Sequence, residues 1–490
     1  MDDRLRTMRN LLILTALSTM LFAQQSQPPL SSTLPPTAPA AASQTPASSA
    51  VPPAQTPAPA AVPGQAAAMS PTEAYRYAMQ PLTNARSAPD DLTDADKWAL
   101  GIGMARARKQ CDLLAARKGA DALQGEDRLA LGKLCIFGQD YEPGRQALVA
   151  YITLPHPKSP ELGRLLLASA FVGLDSITSA ESQVESLLAA FPYDASIHLA
   201  VDMVIDAADA SQASDTLDVV PRLEAQQLPH ILDALAHGGS LSGNGDSVDA
   251  AQLTRDALRC ADTLRRNYKP DDADKVLVQV STLVAQPAIM SSASGPAVQN
   301  ALLRYQWFGE TSPVRVFHGA ELPITGPLRA RTVLLYDPNP AAHLIVRQLG
   351  KGRTMSSMTD DRTLVLVFSL AGPASSKVIR GILAQLGHDH FTPGMKVIAV
   401  TSYAANTGDD APSADALATL RAFRSGRPAG LPVFLVPDSE LKPFAIDLWP
   451  AAILFDGKGR IMLLDTLSGS AGSVQQTVRN IETYPHNPPF

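Results

Sequence analysis

Three cysteines are the residues of this chain with the most distinctive chemistry, and all of them lie before position 261. Cys111 and Cys135 fall on consecutive predicted helices, where they could form a disulfide in an oxidising compartment or remain two buried thiols. Cys260 is left over, and a lone helical cysteine is typical of a small core residue. Three cysteines are too few for a multi-cysteine zinc or iron–sulfur module.

The other groups with a suggestive spacing lack partners. His388 and His390 have a spacing that can bind a metal, but no further ligand is evident, and Gly387 and Pro393 predict a solvated turn around them. Gly350–Gly352 lacks the spacing of a phosphate-binding loop. The sequence contains no Gly-x-Ser-x-Gly elbow of a serine hydrolase. We therefore expect no catalytic constellation, no metal site and no cofactor.

Composition bounds the class of protein. The 490 residues carry 41 basic and 47 acidic side chains, for a net charge of −6. A nucleic-acid-binding surface is disfavoured, because it needs a clustered basic face and a high isoelectric point. The length suggests roughly three domains, at about 150 residues per domain.

The composition of the first 72 residues predicts an export signal followed by a linker. Leu11–Ala23 is a short apolar run behind three arginines, which is typical of a secretory signal at 1–23. The run is too short for an ordinary membrane span, although an uncleaved anchor is the alternative. Residues 24–71 consist mainly of Pro, Ala, Ser, Thr and Gln, which predicts a disordered linker. We expect a periplasmic or secreted protein with no integral span after cleavage.

Residues 72–310 have the pattern of an all-α domain, with apolar residues recurring at three and four positions. Helices are predicted at 98–115, 127–138, 141–153, 160–174, 178–190, 193–211, 248–268 and 271–286. Ala168, Ala180 and Pro192 fall at offsets that resemble a tetratricopeptide unit, and Gly132 and Gly144 repeat them 36 residues earlier. The resemblance implies stacked helical hairpins with a concave, protein-binding surface; an irregular helical domain is the alternative.

Residues 311–490 change to an α/β pattern. Buried strands are predicted at Thr363–Leu370, Met395–Ser402 and Pro432–Val436, followed by a hairpin over 451–464. Helices are predicted at 375–386, 413–425 and 473–484. This order resembles the thioredoxin-like domains of the TlpA/redoxin family.

Two stretches carry the redoxin resemblance. The first runs from Phe368 to Lys377, at the place of the family's Cys-Pro-Pro-Cys turn. The second, Asp447–Ile461, is similar to the family's Gly-x-Pro-Thr segment. The resemblance implies that Pro450 is the cis-proline. Trp449 would lie beside it in a groove that could hold an extended peptide. The turn is degenerate; its residues are Gly372, Pro373, Ser375, Ser376 and Lys377.

The two cysteine positions of that turn are occupied by Pro373 and Ser376. Dithiol exchange needs a thiolate to attack and a second thiol to resolve the mixed disulfide, and a serine hydroxyl replaces neither. We therefore expect a non-catalytic protein-binding adaptor of the cell envelope, with a protein or peptide partner and no nucleic acid. The alternatives are a thiol–disulfide oxidoreductase that uses cysteines outside the motif, and a structural envelope component.

Overall fold

The structure is a computed structural model of the chain. It describes residues 69–84, 94–118, 123–211, 213, 216–243, 246–323, 325–336, 362–368, 379, 382, 395–402, 414–425, 432–446, 450–466 and 477–481. The expected signal 1–23 lies outside the described residues, as does the linker up to residue 68. Pro71, the last residue of the predicted linker 24–71, is the first residue of a helix. Ser70 caps that helix: its hydroxyl accepts from the Glu73 N–H, and the Glu73 carboxylate accepts from the Ser70 N–H.

The amino-terminal half is helical. Its helices are α1 (Pro71–Met79), α2 (Asp94–Lys118), α3 (Glu126–Phe137), α4 (Tyr141–Ile152), α5 (Pro160–Gly173), α6 (Ile177–Ala190), α7 (Ala195–Ala210), α8 (Val219–Ala236), α9 (Ala250–Arg266), α10 (Pro270–Val284), α11 (Pro287–Met290) and α12 (Gly295–Gln306). A short antiparallel hairpin, β1 (Leu241–Gly243) and β2 (Asp246–Val248), lies between α8 and α9.

Neighbouring helices pack closely because small residues lie where they meet. A Cβ atom on Gly132 of α3 would come within 2.5 Å of Leu148 on α4, so only glycine allows this approach. A Cβ atom on Gly144 of α4 would lie 3.1 Å from Ile136 of α3, which is a close but less severe contact. Apolar faces of α3–α8 form one continuous core, and those of α8–α12 form a second.

The carboxy-terminal half is built on a mixed sheet. Its strands are β3 (Val316–Glu321), β4 (Arg329–Leu334), β5 (Arg362–Val367), β6 (Met395–Ser402), β7 (Val433–Val436), β8 (Ala451–Phe455) and β9 (Ile461–Thr466), in the order β4-β3-β7-β6-β5-β8-β9. Strands β5, β6 and β7 run parallel, and β8 and β9 complete the sheet as an antiparallel hairpin beside β5. Helix α13 (Ala414–Ser425) precedes β7 in the chain, and helix α14 (Asp438–Leu441) follows it. Residues 477–481 are also helical.

Every residue of β5 is buried, as expected of a central strand covered on both faces. Leu364 and Leu366 point into one apolar core, whereas Val365 and Val367 point into the other. This alternation follows from the period of two in a strand.

The helical half and the sheet are joined by hydrogen bonds and β-bridges. The Arg304 guanidinium of α12 donates to the carbonyl of Ala445 at 2.5 Å. Phe308 and Thr311 form β-bridges to the start of β9. At the far end of the sheet region, Arg479 donates to the backbone and carboxylate oxygens of Asp209 on α7, at 2.7 and 3.1 Å. In the described part of the chain, no helix is long and apolar enough to cross a membrane.

Candidate functional site

Cys111 on α2 and Cys135 on α3 are brought together. Their sulfur atoms lie 2.05 Å apart, as in a disulfide, and their Cα atoms are 5.1 Å apart. Both side chains are fully buried. The disulfide thus links two helices whose neighbouring residues form one apolar core.

The redoxin-like residues are placed only in part. Gly372, Pro373, Ser375, Ser376, Lys377 and Trp449 lie outside the described residues. Pro450 is buried directly before β8, and Phe368 is buried directly after β5. Because Val367 pairs with Ala451, these two residues lie side by side at one end of the sheet.

A buried ionic cluster, which the sequence did not predict, lies between α7, α8 and α9. It consists of His198, Asp202, Glu224, Asp256 and Arg259. The Nε2 atom of His198 lies 2.8 Å from Asp256 and 3.7 Å from Asp202. Arg259 contacts Asp202 at 2.8 Å, Glu224 at 3.1 Å and Asp256 at 3.5 Å. One guanidinium therefore joins carboxyl groups from all three helices.

Burial and neighbouring charges shift the pKa values of these groups in different directions. Burial lowers the pKa of His198, but the Asp202 and Asp256 carboxylates outweigh it and raise the pKa above its ordinary value. Burial raises the pKa of Asp202 and of Glu224. For Asp256, burial acts in the same sense, but Arg259 and His198 outweigh it and lower the pKa. Asp256 is thus the carboxylate held most firmly in its charged form.

The amide of Gln227 completes the surroundings of His198. Its Nε2 atom lies 3.0 Å from Nδ1 of the ring, whereas its buried Oε1 atom has no hydrogen-bond partner in the described structure. With the amide group turned by 180°, Oε1 would lie against Nδ1 and could accept a hydrogen bond from a charged ring. Two protonated ring nitrogens would then each have an acceptor, in agreement with the raised pKa of His198.

His198, Asp202 and Asp256 could offer three ligand atoms within 4.8 Å of one another, which is compact enough for a metal ion. The Arg259 guanidinium, however, already contacts both aspartates and supplies the positive charge that such an ion would bring. A metal would have to displace it. We therefore interpret the three residues as part of an ionic network.

A cavity of about 600 Å³ adjoins the cluster and is lined by residues of α8, α9 and α10; we call it the α8–α10 cavity. Glu224 belongs both to the cluster and to the cavity lining. Its neighbours in the most buried part of the lining are Cys260 and Thr263. Burial, together with the Glu224 carboxylate, raises the pKa of the Cys260 thiol, which weakens it as a nucleophile.

The cluster escaped sequence analysis because no motif holds it together. His198 and Asp202 are four residues apart on one helix, and Asp256 and Arg259 are three apart on another. The sequence feature that could have revealed the cluster is the presence of these charged residues on helix faces that are otherwise apolar. That signal predicts buried charge but not the pairing of residues 58 positions apart, such as His198 and Asp256.

Comparison of the chain with family models, with curated proteins and with solved structures found no match.

Proposed function

We propose that this chain is an exported, non-catalytic binding protein whose helical array holds a partner in the α8–α10 cavity. The cavity carries the proposal. It has the volume of a ligand site, about 600 Å³. Its walls are largely apolar, with leucines from three elements, and Glu224 and Thr263 supply polar groups at its most buried part.

We propose further that the sheet is a degenerate thioredoxin-like domain of the TlpA/redoxin type. The succession β5, β6, α13, β7, α14, β8 and β9, followed by a helical segment, supports the order that the resemblance implies; of the helix expected at 375–386, only residues 379 and 382 are described. The position of Pro450 beside the end of β5 also supports it. The hairpin arrangement of α3–α6 and the close approach at Gly132 support the tetratricopeptide-like interpretation of the array.

Export is supported by the disulfide between Cys111 and Cys135, because such bonds persist in oxidising compartments. The oxidoreductase alternative is disfavoured by the placement of the sulfur atoms. Cys260 is buried with a raised pKa, and the two bonded sulfurs have no exposed surface. A thiolate poised for exchange needs the opposite surroundings, namely partial exposure and a lowered pKa.

The proposal is tested by site-specific photo-crosslinking in the native cell envelope. A photoreactive residue at Gln279, an exposed residue of the cavity lining, should give a discrete crosslinked product. The matched control is Gln226, which is also exposed but faces α6, where its amide donates to Glu185 at 2.8 Å. Equal crosslinking from both positions, or none from Gln279, would overturn the proposed role of the cavity.

A further inference from the structure

We propose that the α8–α10 cavity binds an amine with a hydrocarbon body, whose ammonium group lies against Glu224. The inference rests on the proposed function and names the chemistry of the ligand at the same site. A free alkylamine and the lysine side chain of a partner peptide share this chemistry.

The first observation is the distribution of polar and apolar groups along the cavity. Leu228, Leu232, Leu264 and Leu283 form much of its wall, and they favour a hydrocarbon body. The polar residues of the rim, such as Gln279, are exposed to solvent, whereas Glu224 is only 2% exposed. A ligand that fills the cavity would therefore meet leucines along its length and a carboxyl group at its inner end.

The second observation is that the Glu224 carboxyl group is incompletely paired. Its Oε1 atom accepts from Arg259 at 3.1 Å, and the Thr263 side chain also acts on the carboxyl group as a hydrogen-bonding neighbour, whereas the buried Oε2 atom accepts no hydrogen bond of regular geometry in the described structure. A buried polar atom without a partner costs roughly 1–3 kcal/mol. A ligand that donates a hydrogen bond to Oε2 would remove this cost.

The charges around Glu224 point to a cation as well. In the ionic cluster, the carboxyl groups of Asp202, Glu224 and Asp256 share one guanidinium, that of Arg259. The His198 ring contacts Asp202 and Asp256 but, in the described structure, forms no ion pair with Glu224. Outside the cluster, Arg266 and Asp209 act on Glu224 with opposite signs. Among these carboxyl groups, Glu224 is the one that lines the cavity. Glu224 is therefore the carboxyl group of the cluster that a cationic ligand in the cavity would meet.

The test uses the full chain and two pairs of probes in ligand-observed NMR titrations. Hexylamine is compared with 1-hexanol, and the blocked tripeptide Leu-Lys-Leu with its norleucine analogue. Wild type should bind at least one amine roughly 10- to 100-fold more tightly than its neutral counterpart, as a charge-assisted hydrogen bond allows. The hexylamine pair reports a free ligand, and the peptide pair reports a partner's side chain.

Glu224→Gln should abolish this preference, so that each amine binds no more tightly than its neutral counterpart. Glu181→Gln is the matched control, since Glu181 is also buried but pairs with Arg222 on a face of α8 that is not part of the lining. Its preference for amines should equal that of wild type, and circular dichroism should show both variants folded. Equal affinity for amines and neutral probes in wild type would overturn the inference, as would a preference that survives Glu224→Gln. If no probe binds while Gln279 still crosslinks, the inference fails and the proposed function stands; if both fail, the proposed function fails as well.

Discussion

Removing the disulfide between α2 and α3 should destabilise the helical array by an amount that the structure allows us to work out. The perturbation is the double substitution Cys111→Ala and Cys135→Ala. The two residues are 24 positions apart in sequence, and closing a loop of that length reduces the entropy of the unfolded chain by the equivalent of about 3.4 kcal/mol at 25 °C. The lost contacts of two buried sulfurs increase the cost, so the expected loss is roughly 3–5 kcal/mol.

The assay is urea unfolding followed by far-ultraviolet circular dichroism, which reports mainly on the helical half. Wild type is measured with and without a phosphine reductant, and the double variant is measured under the same two conditions. Reduction should lower the urea midpoint of wild type towards that of the double variant. The double variant should not respond, because its remaining cysteine, Cys260, forms no disulfide.

Two results would refute this reasoning. Unfolding free energies of wild type and double variant that agree within about 0.5 kcal/mol would show that the cross-link does not restrict the unfolded chain. A reductant that destabilises both proteins equally would place its action outside the disulfide between Cys111 and Cys135.

Three further predictions follow from single contacts. Arg259→Met should lower the free energy of unfolding by about 2–3 kcal/mol in urea titrations. The loss is less than for a fully buried ion pair because the Arg259 side chain is 31% exposed. As a control, Arg222→Met should cost less than about 1 kcal/mol, because the Arg222 side chain is 53% exposed. Burial raises the pKa of Asp465 to about 6, so this group makes stability fall as pH rises from about 4 to about 6. Asp465→Asn should remove that fall and raise stability at pH 8 by about 1–2 kcal/mol, which a pH series of thermal melts measures. Gly132→Ala should cost about 1–3 kcal/mol, because its Cβ would overlap the Leu148 side chain; unchanged unfolding would show that α3 and α4 can separate freely.

The elements that sequence analysis predicted well are those with a strong apolar period. This group contains the fully buried strand β5 and helices α3–α7, whose apolar residues recur at three and four positions. Strand β4 was not predicted, since most of its residues are exposed and lack an apolar run. Helix α8 was not predicted either: it contains Pro221 and Pro229, which read as breaks, yet apolar packing on both sides maintains the helix.

The candidate site shows where prediction from sequence ends. The pairing of Cys111 and Cys135 could be proposed because consecutive helices limit the possible partners. Glu224 could not be singled out, because its role depends on Arg259 from a different helix and on a cavity that three helices enclose. Such a site becomes visible only when the packing of the array is known.

The contacts of α12 with the sheet bear on how this protein could be cut or recombined. Arg304 donates to a carbonyl of the sheet half, and the segment from Phe308 to Ser312 is hydrogen-bonded along the start of β9 and the turn before it. A gene fusion that transferred the sheet alone would leave that edge of the β8–β9 hairpin without its partner. A piece grafted onto another chain would therefore have to start no later than Gly295 to keep these contacts, and α12 would then leave the core that it shares with α8–α11.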